Sequence, residues 1–197
     1  MSRKFEPIYS YLKEHLPKER LRHVLCVAKM AKDLAVQHGE SLERAELASL
    51  LHDVARRWEE KELIKYVEKN AVVVPEKEFI CTVQPLLLHS YVGADIAMKK
   101  FNVTDREILG AIRKHSLGDG TMSKFEKLIY LADLISYDRK YPACAALRTL
   151  ALKNLDAAYR EGIAIKLKHL LEKGLSIHPL TIQAWNKLAR ARANING

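Results

Sequence analysis

Cysteine is scarce in this sequence and poorly spaced for structural use. The chain of 197 residues holds three, Cys26, Cys81 and Cys144. No two form a CxxC pair, which argues against a disulfide framework or a thiolate metal knuckle and fits reduced thiols in a cytoplasmic protein. Long apolar runs are also missing. No segment approaches the length of a membrane-spanning helix. The opening text, MSRKFEPIYSYLKEHLPKER, has no continuous apolar stretch of the secretory kind. Strand-forming text is nearly absent: Ala71-Val72-Val73-Val74 before Pro75 is the best instance, and it is short. Proline and glycine number only 6 and 8 and fall mostly between periodic segments, so they punctuate the chain without breaking its helices. Internal repeats, low-complexity tracts and clear linkers are absent.

What remains is helical periodicity. The spacing predicts a short helix over Ile8 to Leu16, a long one from about Lys18 to His38 stopped by Gly39, and a third capped by Ser41. A polar helix follows from Glu59 to Lys69. The stretch from Asn70 to Val83 is the least regular and reads as a loop or lid. Pro85 suits a first helical position, with that helix running to about Phe101. Thr104 with Glu107, and Ser123 with Glu126, have the spacing of capping boxes. Leu117-Gly118-Asp119-Gly120 reads as a turn. After Pro142 the helical segments are Ala143 to Leu152, Leu155 to Lys173 and Pro179 to Ala193. The expected fold is all-α. Residues 1–197 are read as one domain with a core over about 18–137, and the helices of about 142–193 pack beside it.

The formal net charge of +9 favours anionic partners, either nucleic acid or phosphorylated small molecules. Many basic residues alternate with acids, as between Glu59 and Lys69, and read as solvated helix faces. The same holds for Lys187, Arg190 and Arg192. His15, His38 and His169 are expected at the surface. Trp58 and Trp185 read as packing residues, with base stacking as the other option.

One set of polar residues resists that reading. His52-Asp53 closes an apolar helical run. His23, His89, His115 and Asp133 each share a helix face with small or aliphatic residues. They should point into the bundle, where unpaired ionisable groups are costly. Metal ligation accounts for all six together. Imidazole with carboxylate suits iron, manganese, zinc or nickel, whereas magnesium or calcium alone would prefer oxygen donors. Six ligands exceed the needs of one catalytic ion, which keeps a position open for water. Two divalent ions with a carboxylate between them fit better, and such pairs activate water for in-line displacement.

The order His23, then Leu51-His52-Asp53, then Asp133 resembles the H…HD…D signature of the HD-domain metal-dependent phosphohydrolases. His89 within Leu88-His89-Ser90-Tyr91-Val92-Gly93-Ala94 and His115 within Ala111-Ile112-Arg113-Lys114-His115 resemble the members that hold two metals. With Leu131-Ala132-Asp133 and Ile177-His178-Pro179-Leu180-Thr181, the chain is similar to the YqeK branch, the symmetrical bis(5'-nucleosyl)-tetraphosphate hydrolases. The resemblance runs from about Arg20 to Thr181. It implies an HD-domain helical bundle with additional C-terminal helices. His23, His52, Asp53 and Asp133 would hold one ion, and His89 and His115 the second. Asp53 would bridge, iron being the implied metal. It implies cleavage of diadenosine tetraphosphate to two ADP, with His52 and Asp53 central to catalysis. Arg20, Arg56, Arg139 and His178 would meet the substrate. Membrane and nucleic-acid partners are not expected, and a homodimer is compatible with the reading.

The chain departs from the family text in two places. Ser136 to Pro142 lacks the usual glutamate-proline, and Arg22-His23-Val24-Leu25-Cys26 replaces a threonine and glycine context. Two other readings compete. One keeps the chemistry on a different nucleotide, a nucleoside mono- or triphosphate or a guanosine alarmone. The other is a basic nucleic-acid-binding protein with a structural metal, whose binding would weaken steeply with salt.

Overall fold

Eleven α-helices carry the described part of the chain, with no strand among the described residues. This computed structural model describes residues 3–193, and side chains as far as residue 190, so Arg192 lies outside the described side chains. The helices are α1 (Glu6–His15), α2 (Lys18–His38), α3 (Leu42–Leu51), α4 (Glu60–Lys69), α5 (Lys77–Val83), α6 (Leu88–Phe101), α7 (Arg106–Lys114), α8 (Lys124–Leu134), α9 (Cys144–Lys153), α10 (Leu155–Glu172) and α11 (Pro179–Ala193).

Local chemistry sets most of these boundaries. Gly39 ends α2 in the left-handed region at φ 65°, where a Cβ would be penalised. Ser41 Oγ accepts the Arg44 N–H at the start of α3. Ser123 and Glu126 close a reciprocal capping box on α8, and Glu59 with Glu62 does the same on α4. Asn154 accepts the Ala157 N–H at 2.9 Å to open α10. Each cap is worth about 1 kcal/mol.

Five details differ from the sequence expectation. Ala71 to Val74 forms no strand but a turn, in which Ala71 takes φ 50° and Val72 N–H returns to the Val67 carbonyl. The segment before Pro85 is partly regular, because α5 packs there. Pro85 opens a 3-10 turn, Pro85–Leu87, and α6 begins only at Leu88. The cap of α7 is Asp105, not Thr104: its carboxylate takes the Glu107 and Ile108 N–H groups and also pairs with Arg44 of α3 at 2.7 Å. His38 is partly buried, with Nε2 at 2.7 Å from the Ala151 carbonyl of α9. Trp58 and Trp185 pack against the core.

Helices α2, α3, α6, α7 and α8 pack on one another as the central body. Leu34, Leu50, Leu51, Leu88, Ile112 and Leu128 are fully buried at its middle. Helices α9 and α10 lie against α2 and α8, and α11 packs on α10. The loop after α7 joins the two regions. Thr181 Oγ1 donates to the Leu117 carbonyl, and Tyr159 Oη donates to the Asp119 carbonyl, both at 2.9 Å. Gly118 between them has φ 74°, and a Cβ there would meet Ile163 Cδ1 at 2.7 Å and Tyr159 Oη at 2.9 Å. Gly118→Ala is therefore expected to cost roughly 2 kcal/mol or more, from the left-handed backbone and from overpacking. A denaturant midpoint equal to that of the parent would contradict this.

Candidate metal centre

Helix ends bring five of the six ligand candidates together. Helix α3 stops at Leu51, and the chain tightens into short turns, with Val54 N–H bonded to the Leu51 carbonyl and Arg56 N–H to that of Asp53. An ideal α-helix would splay adjacent side chains by about 100°. These turns instead aim both His52 and Asp53 inward. His115 caps the C-terminal end of α7, and Asp133 lies one residue before the end of α8. Three helix C-termini thus surround the pocket, and their partial negative charge favours a cation. His23 comes from the first half of α2 and His89 from the first turn of α6.

Three of the histidines share one device. The Nδ1 atoms of His52, His89 and His115 each face the carbonyl three residues earlier, those of Ser49, Leu86 and Ile112. Nδ1 donates there, so the neutral ring presents an Nε2 lone pair to the pocket. His52 Nε2 is buried with no hydrogen-bond partner. The Nε2 atoms of His89 and His115 lie 3.3 Å apart. Ser116 Oγ is within 3.2 Å of both and can donate to one at a time.

Asp53 stands between the two halves. Its Oδ2 faces His52 Nε2 at 3.5 Å and the Arg20 guanidinium at 2.9 Å. Its Oδ1 faces His89 Nε2 at 3.3 Å and His115 Nε2 at 3.7 Å. On the far side, His23 Nε2 lies 3.0 Å from Asp133 Oδ1, which also takes an Arg139 N–H at 2.9 Å. The ligand atoms fall into three overlapping groups: His23, His52 and Asp53; His52, His115 and Asp133; and Asp53, His89 and His115.

The electrostatics suit a cation. Burial pulls the His52 pKa down to about 4 and lowers that of His89, so both rings are neutral near pH 7. Burial would also lower His23, but the Asp133 and Asp138 carboxylates outweigh it and hold the ring above its ordinary value. Burial would raise both Asp53 and Asp133. The charged and hydrogen-bonding side chains around Asp53 outweigh this, and for Asp133 the His23 ring does so first. Both carboxyls stay well below their usual range. Converging lone pairs, an orphaned Nε2 and two ionised carboxylates in one buried pocket are a donor set that fits metal and fits little else.

The HD-domain family profile matches residues 20–138. This chain belongs to the HD-domain family. It is 32% identical to a protein of Halalkalibacterium halodurans named symmetrical bis(5'-nucleosyl)-tetraphosphatase, over 90% of this chain and 92% of that one. A Bacillus subtilis protein of the same name is 30% identical over 93% and 96%. Among solved structures, a Clostridium acetobutylicum protein described as a predicted HD superfamily hydrolase involved in NAD metabolism superposes with a TM-score of 0.89. It shares 30% identity, covering 95% of this chain and 97% of that one.

In this HD-domain pocket Arg20 pairs with the Asp53 carboxylate and Arg139 with that of Asp133. Arg56 follows Asp53 in the tight turn, and among the described residues its guanidinium meets no carboxylate. His178 stands at the start of α11, its ring edge-on to Phe79 at 5.3 Å. Two participants escape a motif reading. Ser116 is one. The other is Asp138, whose Oδ2 accepts from His23 Nδ1 at 2.8 Å while its Oδ1 takes the Ser136 hydroxyl at 2.7 Å. The available signal was a carboxylate five residues after Asp133, inside the segment that departs from the family text. Asp138 orients His23 as the three carbonyls orient the other rings. Asp138→Asn is expected to weaken metal binding about 10- to 100-fold. A metal titration giving the parent affinity would contradict that role.

Proposed function

We propose that this HD-domain protein is a metal-dependent hydrolase that cuts diadenosine tetraphosphate at its central anhydride to give two ADP. The observation that carries the reading is the placement of Asp53, whose two carboxylate oxygens face two different sets of imidazole lone pairs. That arrangement suits a bridge between two ions. His23, His52 and Asp133 would hold one, and His89 and His115 the other. Iron is the proposed metal, with manganese, zinc or nickel as substitutes the same ligands accept. The substrate comes from relatives that carry the symmetrical tetraphosphatase name over nearly their full length.

Bound ions supply Lewis acidity toward phosphate and toward water. The chain's own residues supply position and charge. Arg20 and Arg139 each hold a ligand carboxylate in place and keep further guanidinium donors for phosphate oxygens. Arg56, which meets no carboxylate among the described residues, is a proposed phosphate contact, as is His178. The whole chain acts as one domain, since α10 and α11 reach the loop that follows His115. No helix among the described residues is long and apolar enough to cross a membrane. That and three free cysteines support a cytoplasmic location.

Product analysis tests the reading. Metal-loaded protein incubated with diadenosine tetraphosphate should yield ADP as the sole nucleotide product. ATP with AMP would place the cut at a different anhydride. Turnover confined to nucleoside mono- or triphosphates or guanosine alarmones would reassign the substrate. Salt-sensitive nucleic-acid binding with no turnover on any nucleotide would remove the enzyme reading.

A further inference from the structure

Helix α10 buries Tyr159, Gly162 and Ile163 on one face. Lys166 continues that stripe, four residues after Gly162 and three after Ile163, where the periodicity calls for an aliphatic side chain. Its ammonium donates to the Ser116 carbonyl, next to His115. Burial brings its pKa down to about 8. An ammonium has three protons to donate, and among the described residues no carboxylate pairs with this one. A half-buried ammonium that bonds one neutral carbonyl and feels Asp133 only through space has donors to spare.

His178 feels both the Glu76 carboxylate and the Lys166 ammonium through space. It is 1% exposed, and its Nδ1 accepts the Leu180 N–H at 3.1 Å. An accepting Nδ1 puts the proton of the neutral ring on Nε2. That Nε2–H is buried and has no partner. The polarity is the reverse of the pocket's other rings. His52, His89 and His115 donate through Nδ1 and offer Nε2 lone pairs to a cation, whereas His178 accepts through Nδ1 and offers an Nε2 proton to an anion. The Thr181–Leu117 bond fixes this end of α11 to the same loop that Lys166 touches.

We propose that Lys166 Nζ and His178 Nε2 form a phosphate subsite, carried by the C-terminal helices, beside the His89 and His115 half of the metal pocket. It rests on the nucleotide-hydrolase reading and extends it to α10, which that reading leaves without a role. A phosphate there accepts the unpartnered His178 Nε2–H and the spare Lys166 protons, and adds a direct counter-charge to the through-space pull of Asp133. The subsite holds one phosphate of the chain while the ions engage its neighbour.

Calorimetry of inorganic phosphate binding to the manganese-loaded full chain tests this. Lys166→Met keeps the aliphatic stem, and His178→Phe keeps a ring against Phe79. Each is expected to weaken phosphate about 10- to 100-fold, the loss of a charge-assisted or buried hydrogen bond, with metal content unchanged. Lys166→Arg should recover most of the affinity. Parent-like affinity in either Lys166→Met or His178→Phe overturns the subsite. So does loss of metal together with phosphate, which would make the role structural. Weakened phosphate in variants of a protein that does not cut diadenosine tetraphosphate would uphold the subsite while refuting the substrate.

Discussion

Asp53→Ala is expected to abolish turnover of diadenosine tetraphosphate, by at least about a thousandfold. Several kcal/mol of charge stabilisation at the phosphate depends on the ions, and every 1.4 kcal/mol is a factor of about ten. Asp53 is 3% exposed and faces Arg20, His52, His89 and His115 at once. Its two oxygens face the two sides of the pocket. Removing it leaves three imidazole lone pairs converging on a space with no bridging anion, and frees Arg20 from its partner. His52→Ala should behave similarly, because His52 belongs to two of the three ligand groups. Steady-state rates on metal-loaded variants check both, and unchanged turnover in either would rule out the assigned site.

The second large effect concerns metal number. His89→Ala should bring the content from two ions per chain toward one. His89 belongs only to the group that also contains Asp53 and His115. The remaining side, His23, His52, Asp53 and Asp133, keeps its donors and the Asp138 and Ser49 bonds that orient them. Elemental analysis beside a thermal melt separates loss of an ion from loss of the fold. A variant that melts like the parent and still holds two ions would overturn the dinuclear arrangement.

The six ligand candidates were legible in the sequence because each breaks a pattern. A histidine or aspartate on an apolar helix face is a local anomaly, and periodicity exposes it without any knowledge of contacts. The helix ends were legible where the cap is local, as at Gly39, Ser41 and Ser123. Asp105 was not, because its advantage over Thr104 includes an ion pair with Arg44, 61 residues away. The valine run at Val72 to Val74 has strand chemistry but no neighbouring strand among the described residues. Helix α5 owes its place to contacts with the Pro85–Leu87 turn and to the Gln84 bond with the Ser176 carbonyl. Asp138 sits in a loop, where no periodicity marks a residue as inward. Lys166 did break a pattern, on α10, but lysines so often cover apolar faces with their stems that one alone reads as surface.

Anomalous diffraction from crystals of protein purified without oxygen would test the central claim most directly. Two peaks about 3.5–4 Å apart, the usual spacing of paired catalytic ions, should appear on either side of the Asp53 carboxylate. Each should lie within bonding distance of the His and Asp atoms assigned to it. A pocket with no peak, or metal bound only elsewhere on the chain, would contradict the account.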